Sequence, residues 1–177
     1  VYEILGNGLR SQAALHSEYG GIFPTIAKRE HAKAVVPLLK IALEEAEMLS
    51  KNNGQFSMPA AIEEKLHELL YREPGMIEEL LSFFATYEQP EIDLIAVTTG
   101  PGLEPALWVG VNFAKALAMI WNVPVTPVNH MEGHILASVY DVERNNQLAE
   151  ISFPALALLI SGGHTELILM NGWGQYK

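Results

Sequence analysis

Two histidines one helical turn apart are the residues best placed to do chemistry in this chain. They sit in V-T-P-V-N-H-M-E-G-H, residues 125–134, as His130 and His134. The preceding segment, 123–128, is short and β-branched and carries Pro124 and Pro127, so it reads as an edge or terminal strand. Asn129 then suits a helix N-cap, with a helix over 130–140. Residues four apart on a helix share a face, and two neutral imidazoles so placed can grip one transition metal through their ring nitrogens. The spacing differs from the zinc-protease motif H-E-x-x-H, in which the glutamate follows the first histidine. Here the acid is Glu132, about 200° round from His130 on a helix advancing ~100° per residue, so it is badly placed as a general base. The plain alternative is a pair of half-buried histidines, or one capping and one packed.

Two glycine-bearing turns could receive an anion. Residues 92–98, I-D-L-I-A-V-T, read as a buried strand running into T-G-P-G-L-E-P and then a helix over 106–121. Strand, glycine loop and helix is a layout in which backbone N–H groups and a helix N-terminus face a ligand, though Gly100-Pro101-Gly102 also makes an ordinary tight turn. Further on, strands over 153–160 and 166–170 flank S-G-G-H-T. Ser161, Gly162 and Gly163 at that tip offer N–H groups free of bulky side chains, suited to phosphate oxygens, with Thr165 as a further donor. A plain β-hairpin accounts for the same residues.

The rest of the chain must position these groups. Residues 2–9 alternate loosely and read as a strand and turn, and 10–23 as an ordered loop closing on Gly20-Gly21 and Pro24. A helix over 25–50 would carry Val35, Leu38, Leu39, Ala42, Ala46 and Leu49 on one stripe, kinked or divided at Pro37. Lys28, Arg29, His31 and Lys33 read as a solvated face of it. Residues 51–90 read as a turn and two acidic amphipathic helices broken at Pro74-Gly75. Their stripes are Ile62, Leu66, Leu69 and Leu70, then Ile77, Leu80, Leu81 and Phe84, and they either pack on their own domain or dock a partner. The 106–121 helix is apolar almost all round and should be sandwiched between layers.

Length and composition fix the class. The sequence has 177 residues, 49% hydrophobic and 18% charged, as in a folded globular protein of one domain or two small subdomains. With Cys 0, disulfides and thiol ligands are excluded, so a metal must be held by histidine and carboxylate. The net charge of -10 excludes a broadly basic nucleic-acid surface and leaves a local patch or a partner for that purpose. No apolar run is long enough to span a bilayer, and a cytoplasmic location is the expectation. The chain starts at Val1 without Met and stops at G-W-G-Q-Y-K, which reads as a fragment.

Four stretches together resemble one family. They are L-H-S-E-Y-G-G-I-F-P-T-I-A-K-R-E-H (15–31), T-T-G-P-G-L (98–103), V-N-H-M-E-G-H (128–134) and L-I-S-G-G-H-T (159–165). Their types and order are similar to those of the TsaD family of tRNA N6-adenosine threonylcarbamoyltransferases, formerly called glycoproteases or O-sialoglycoprotein endopeptidases. The resemblance implies an α/β fold of the ASKHA (sugar kinase/Hsp70/actin-like) type. That fold would be incomplete here, with a helical hairpin inserted at 51–90, a first subdomain over 1–150 and the start of a second over 151–177. His130 and His134 match the family's metal-binding histidines, implying one divalent ion, Fe2+ first and Zn2+ as the alternative. Leu159, Ile160, Ser161, Gly162 and Gly163 match its substrate-binding stretch.

The implied reaction moves a threonylcarbamoyl group from threonylcarbamoyl-AMP to N6 of adenosine 37 in tRNAs reading codons that begin with A. The metal would polarise the carbamoyl carbonyl while the glycine tip holds the phosphate, and the nucleophile would be the substrate's own amine. The implied partners are a paralogous dimer partner and a small ATPase, with no membrane. The family's opening G-I-E-T-S-C-D-E-T loop, its third metal ligand (an Asp) and its ribose-binding half have no counterpart in these residues. Pro24-Thr25 stands where the family commonly has P-E. The expectation is therefore a fragment inactive by itself. A metal-dependent hydrolase and a non-catalytic partner subunit of the tRNA-modifying complex are the alternatives.

Overall fold

A computed structural model of the chain describes residues 3–12, 21, 23–54, 57–141, 147–160 and 165–177. It is a mixed α/β protein that divides into two compact units. One comprises Leu5–Val128, and the other Val1–Ile4 with Asn129–Lys177.

The first unit is built round helices. α1 (Pro24–Glu45) opens with proline at its first position, where the missing N–H is no loss, and runs through Pro37 as one helix. The expected division at Pro37 is not made. The buried stripe of α1 is Ala27, Ala34, Val36 and Leu43, rotated from the expected one, while Val35 and Leu39 pack at its margin.

The reason for that rotation lies in residues 5–9. A Cβ on Gly6 would stand 2.1 Å from the Ala42 carbonyl oxygen, and one on Gly8 would stand 2.6 Å from that of Leu38. Backbone therefore lies directly on this face of α1, and the Asn7 N–H donates to Glu45 Oε2 at 2.8 Å. The strand expected over 2–9 is not formed in the described part, 3–12. A helix surface has no open N–H and C=O row for a strand to pair with.

Residues 51–90 do make two helices, α2 (Ala60–Leu69) and α3 (Pro74–Thr86), separated before Pro74 as expected. Their apolar stripes are the centre of the core. Leu66, Leu70, Met76 and Leu80 are each 2% exposed or less, worth roughly 1.5–3 kcal/mol apiece in burial. Phe84 meets Trp121 edge to face at 5.9 Å between ring centroids. Trp121 closes α4 (Glu104–Trp121), the helix that follows β1 (Ile95–Gly100). α4 buries Val109, Ala114, Ala116 and Leu117 and packs against β1 as well as against α1 and α2, so it is sandwiched between layers as expected, with Trp108 left 48% exposed at its edge. Asn122 takes a left-handed conformation at its end and turns the chain into β2 (Val125–Asn129), which pairs with β1.

The second unit carries α5 (His130–Val139), a two-residue pairing of β3 (Tyr140–Asp141) with β4 (Gln147–Leu148), and a three-stranded sheet. In that sheet β5 (Ala155–Ile160) pairs antiparallel with β6 (Thr165–Gly172), and β6 with β7 (Gln175–Tyr176). The register sets Leu156 opposite Leu169, Leu158 opposite Leu167 and Ile160 opposite Thr165. All of these point to one face, and it is open: Leu156 is 63% exposed, Leu158 58%, Ile160 75% and Leu167 62%. On the other face Met170 is 1% exposed. α5 lies against β5 and buries Ile135.

Candidate metal centre

The end of β2 delivers the chain into α5 through Asn129. Its backbone is extended, and its side-chain Oδ1 accepts the Met131 N–H at 2.8 Å and the Glu132 N–H at 3.4 Å. This is the N-cap expected from the sequence, and it starts the helix at His130, so His130 and His134 fall on one face by construction. Their Nε2 atoms are 2.9 Å apart, the rings meet nearly at right angles with centroids 4.5 Å apart, and both residues are exposed.

Two readings of that contact are open to the chemistry. In one, a neutral ring donates its Nε2–H to the other ring's lone pair. In the other, both lone pairs turn to a common cation, and nitrogens 2.9 Å apart suit an ion about 2.0–2.1 Å from each. The two imidazoles therefore fit a metal as part of a ligand set. Among the described residues no group of three His, Cys, Asp or Glu side chains could complete it.

The other expected site residues are placed in part. Leu159 and Ile160 form the end of β5, Leu159 opposite Glu166 and Ile160 opposite Thr165. Ser161, Gly162 and Gly163 lie outside the described residues, so only the flanking strands of the expected strand-turn-strand are seen. The turn at Gly100-Pro101-Gly102 does join β1 to α4, and Leu103 caps that helix through its backbone alone. Of the 15–31 stretch, the helical part is described. There His31 Nδ1 lies 2.7 Å from the Ala27 carbonyl oxygen, one turn back on its own helix.

One feature escaped the sequence reading. Lys28 is not simply solvated, since its Nζ is 2.8 Å from Oε1 of Glu73, whose side chain is only 2% exposed. Nothing in the local pattern at Glu73, beyond an acid directly before a helix-opening proline, announces that partner.

The family described as "TsaD: tRNA N6-adenosine threonylcarbamoyltransferase" matches residues 3–53 and 67–177. The chain belongs to the TsaD family. Among curated proteins it is similar to a tRNA N6-adenosine threonylcarbamoyltransferase of Thermomicrobium roseum (strain ATCC 27502 / DSM 5159 / P-2). The two are 39% identical over 173 residues, which is 98% of this chain and 37% of the relative. The chain thus spans well under half the length of the relative it matches. The unmatched interval, 54–66, is narrower than the 51–90 expected as an insertion, so α3 lies within the family's common sequence. The histidine helix, the Gly100–Gly102 turn and both strands of the hairpin also lie inside the matched segments.

Proposed function

We propose that this polypeptide is part of a tRNA N6-adenosine threonylcarbamoyltransferase. Such an enzyme passes a threonylcarbamoyl group from threonylcarbamoyl-AMP to N6 of adenosine 37 in tRNAs reading codons that begin with A. The observation that carries the reading is the His130–His134 pair, held with Nε2 atoms 2.9 Å apart by a capped helix inside the family-matched sequence. In this reading both rings hold one divalent ion, Fe2+ or Zn2+, which supplies Lewis acidity when bound. Asn129 positions the rings by fixing where the helix begins. Leu159, Ile160, Ser161, Gly162 and Gly163 receive the adenylate, the glycines leaving room for its phosphate. The attacking amine belongs to the adenosine, so no side-chain nucleophile is required. The protein works with a paralogous partner and a small ATPase in the cytoplasm. No helix among the described residues is long and apolar enough to cross a membrane.

Two imidazoles are half of a usual metal site, so the 177-residue polypeptide by itself turns over far more slowly than a full-length relative. The test supplies adenylate and tRNA to both and measures modified adenosine; equal turnover refutes the incompleteness. Titration with Fe2+ or Zn2+ should show binding that His130→Ala and His134→Ala each abolish. Unchanged metal affinity in either variant refutes the site. Glu132→Gln should leave that affinity intact, whereas a metallohydrolase using Glu132 as its base would lose its cleavage activity.

A further inference from the structure

The N-terminal turns of α1 and α3 flank a half-open cavity of about 350 Å³ lined by Thr25, Lys28, Arg29, Lys33, Arg72, Met76 and their neighbours. Four of the 11 lysines and arginines of a chain with net charge -10 gather here. Not all of that charge is neutralised. Lys28 is bound to Glu73, and Arg29 and Lys33 share the single carboxylate of Glu30 at 3.5 and 3.1 Å. The hydrogen bond from Lys33, with burial opposing it, holds the Glu30 carboxyl below its ordinary range. Glu79 also stands at the cavity wall. Arg72 lies over its neighbour Tyr71 and donates Nε–H to that hydroxyl, and among the described residues no carboxylate pairs with it.

Backbone charge adds to this. Neither α1 nor α3 has a side-chain cap hydrogen bond or an acid within its first turn, so the positive end of α1 adds to the local charge, while the Glu73 carboxylate stands at the N-cap of α3. Glu73, 5% exposed, keeps one oxygen on Lys28 while the other, Oε2, has no partner among the described residues. It anchors the ammonium of Lys28 at the cavity wall, where a flexible lysine would otherwise sweep the solvent. Ala32 and Met76 add apolar surface to the lining, which lowers the local dielectric and strengthens the charge interactions beside it.

We propose that this cavity is a phosphate-binding site that takes a backbone phosphate of the RNA substrate. The proposal rests on the transferase reading for the identity of the RNA. Phosphate groups satisfy Arg and Lys forks and helix N-termini together, and a chain acidic overall needs a local cationic point at which a polyanion can touch it. The site gives affinity and orientation, not sequence choice.

The test is equilibrium binding of tRNA to the whole chain across a range of salt concentrations. It compares wild type, Arg72→Glu with Lys33→Glu, the milder Arg72→Gln with Lys33→Gln, and a remote pair of equal charge change, Lys40→Glu with Lys51→Glu, which lie beside Tyr87 past the far end of α3. Lys28 is left alone because its loss would strand Glu73. Circular dichroism keeps a folding defect separate, and the glutamine pair carries the test if the glutamate pair fails to fold. The cavity variants should bind tRNA about tenfold more weakly or worse. Their slope of log affinity against log salt should be shallower by about 1–2, with the remote pair close to wild type. Wild-type affinity and slope in the cavity variants overturns the proposal. So does an equal loss in the remote pair, which would mean bulk charge alone. Inorganic phosphate titrated alone supplies the third arm. Saturable phosphate binding lost in the cavity variants while tRNA binding is untouched assigns the site to free phosphate and overturns the RNA source. Failure of the transferase reading shows separately, as absence of adenosine modification, which none of these binding curves measures.

Discussion

The helical unit and the sheet unit solve the same problem in opposite ways. In the first, apolar stripes from α1, α2, α3 and α4 close on one another until Leu70 and Val109 are 0% exposed. In the second, β5 and β6 are apolar on both faces, and only one face is covered. An antiparallel sheet that meets water on one side ordinarily alternates apolar with polar residues. The sequence A-L-A-L-L-I does not alternate, so it is written for a strand covered on both sides. The difference teaches that burial in the described structure is a poor measure of what a segment is composed for. The helices are composed for the neighbours they have, and the strands for more cover than they have.

Truncation in the two units offers the sharpest way to break that contrast. Leu80→Ala, at a site 1% exposed, should cost about 2–5 kcal/mol, read from the urea midpoint followed by circular dichroism. Leu158→Ala on the open face should cost less than about 0.5 kcal/mol in the same experiment. Equal losses would mean that the open face is covered in solution. Next in size is Gly6→Ala. It puts a methyl group into the Ala42 carbonyl and should destabilise the helical unit by about 1–3 kcal/mol, with Gly8→Ala following at similar size. Asn129→Ala should remove about 1 kcal/mol from α5 and weaken metal binding by freeing His130, as measured by thermal melts and metal titration. A full-affinity metal site in that variant would show that the cap does not position the rings. Smallest in stability are Leu156→Thr and Leu167→Thr. Each should stay within about 0.5 kcal/mol of wild type in the same urea experiment.

Much of this architecture is legible in the residues, for physical reasons that differ by element. Periodicity exposes α2 and α3 because their stripes are clean and Pro74 separates them. The placement of the histidine pair is legible for a stronger reason, since an asparagine before two histidines one turn apart fixes cap, helix start and shared face together. Where the reading failed, a long-range contact decided the matter. The glycines at 6 and 8 look like turn residues, and only the presence of α1 under them shows that they are there for close approach. The buried face of α1 was misplaced by the same contact, because backbone covers Leu38 and Ala42 without any apolar signal of its own. Lys28 and Glu73 are 45 positions apart, and nothing in either local pattern names the other.

The passage of residues 5–9 across α1 has a consequence for variation. Main chain rests on main chain there, so the position discriminates by volume and is indifferent to chemistry. Serine, aspartate and valine at position 6 should be refused alike. A library randomised at 6 and 8 and sorted for soluble expression should return glycine at both and little else, whatever polarity is offered.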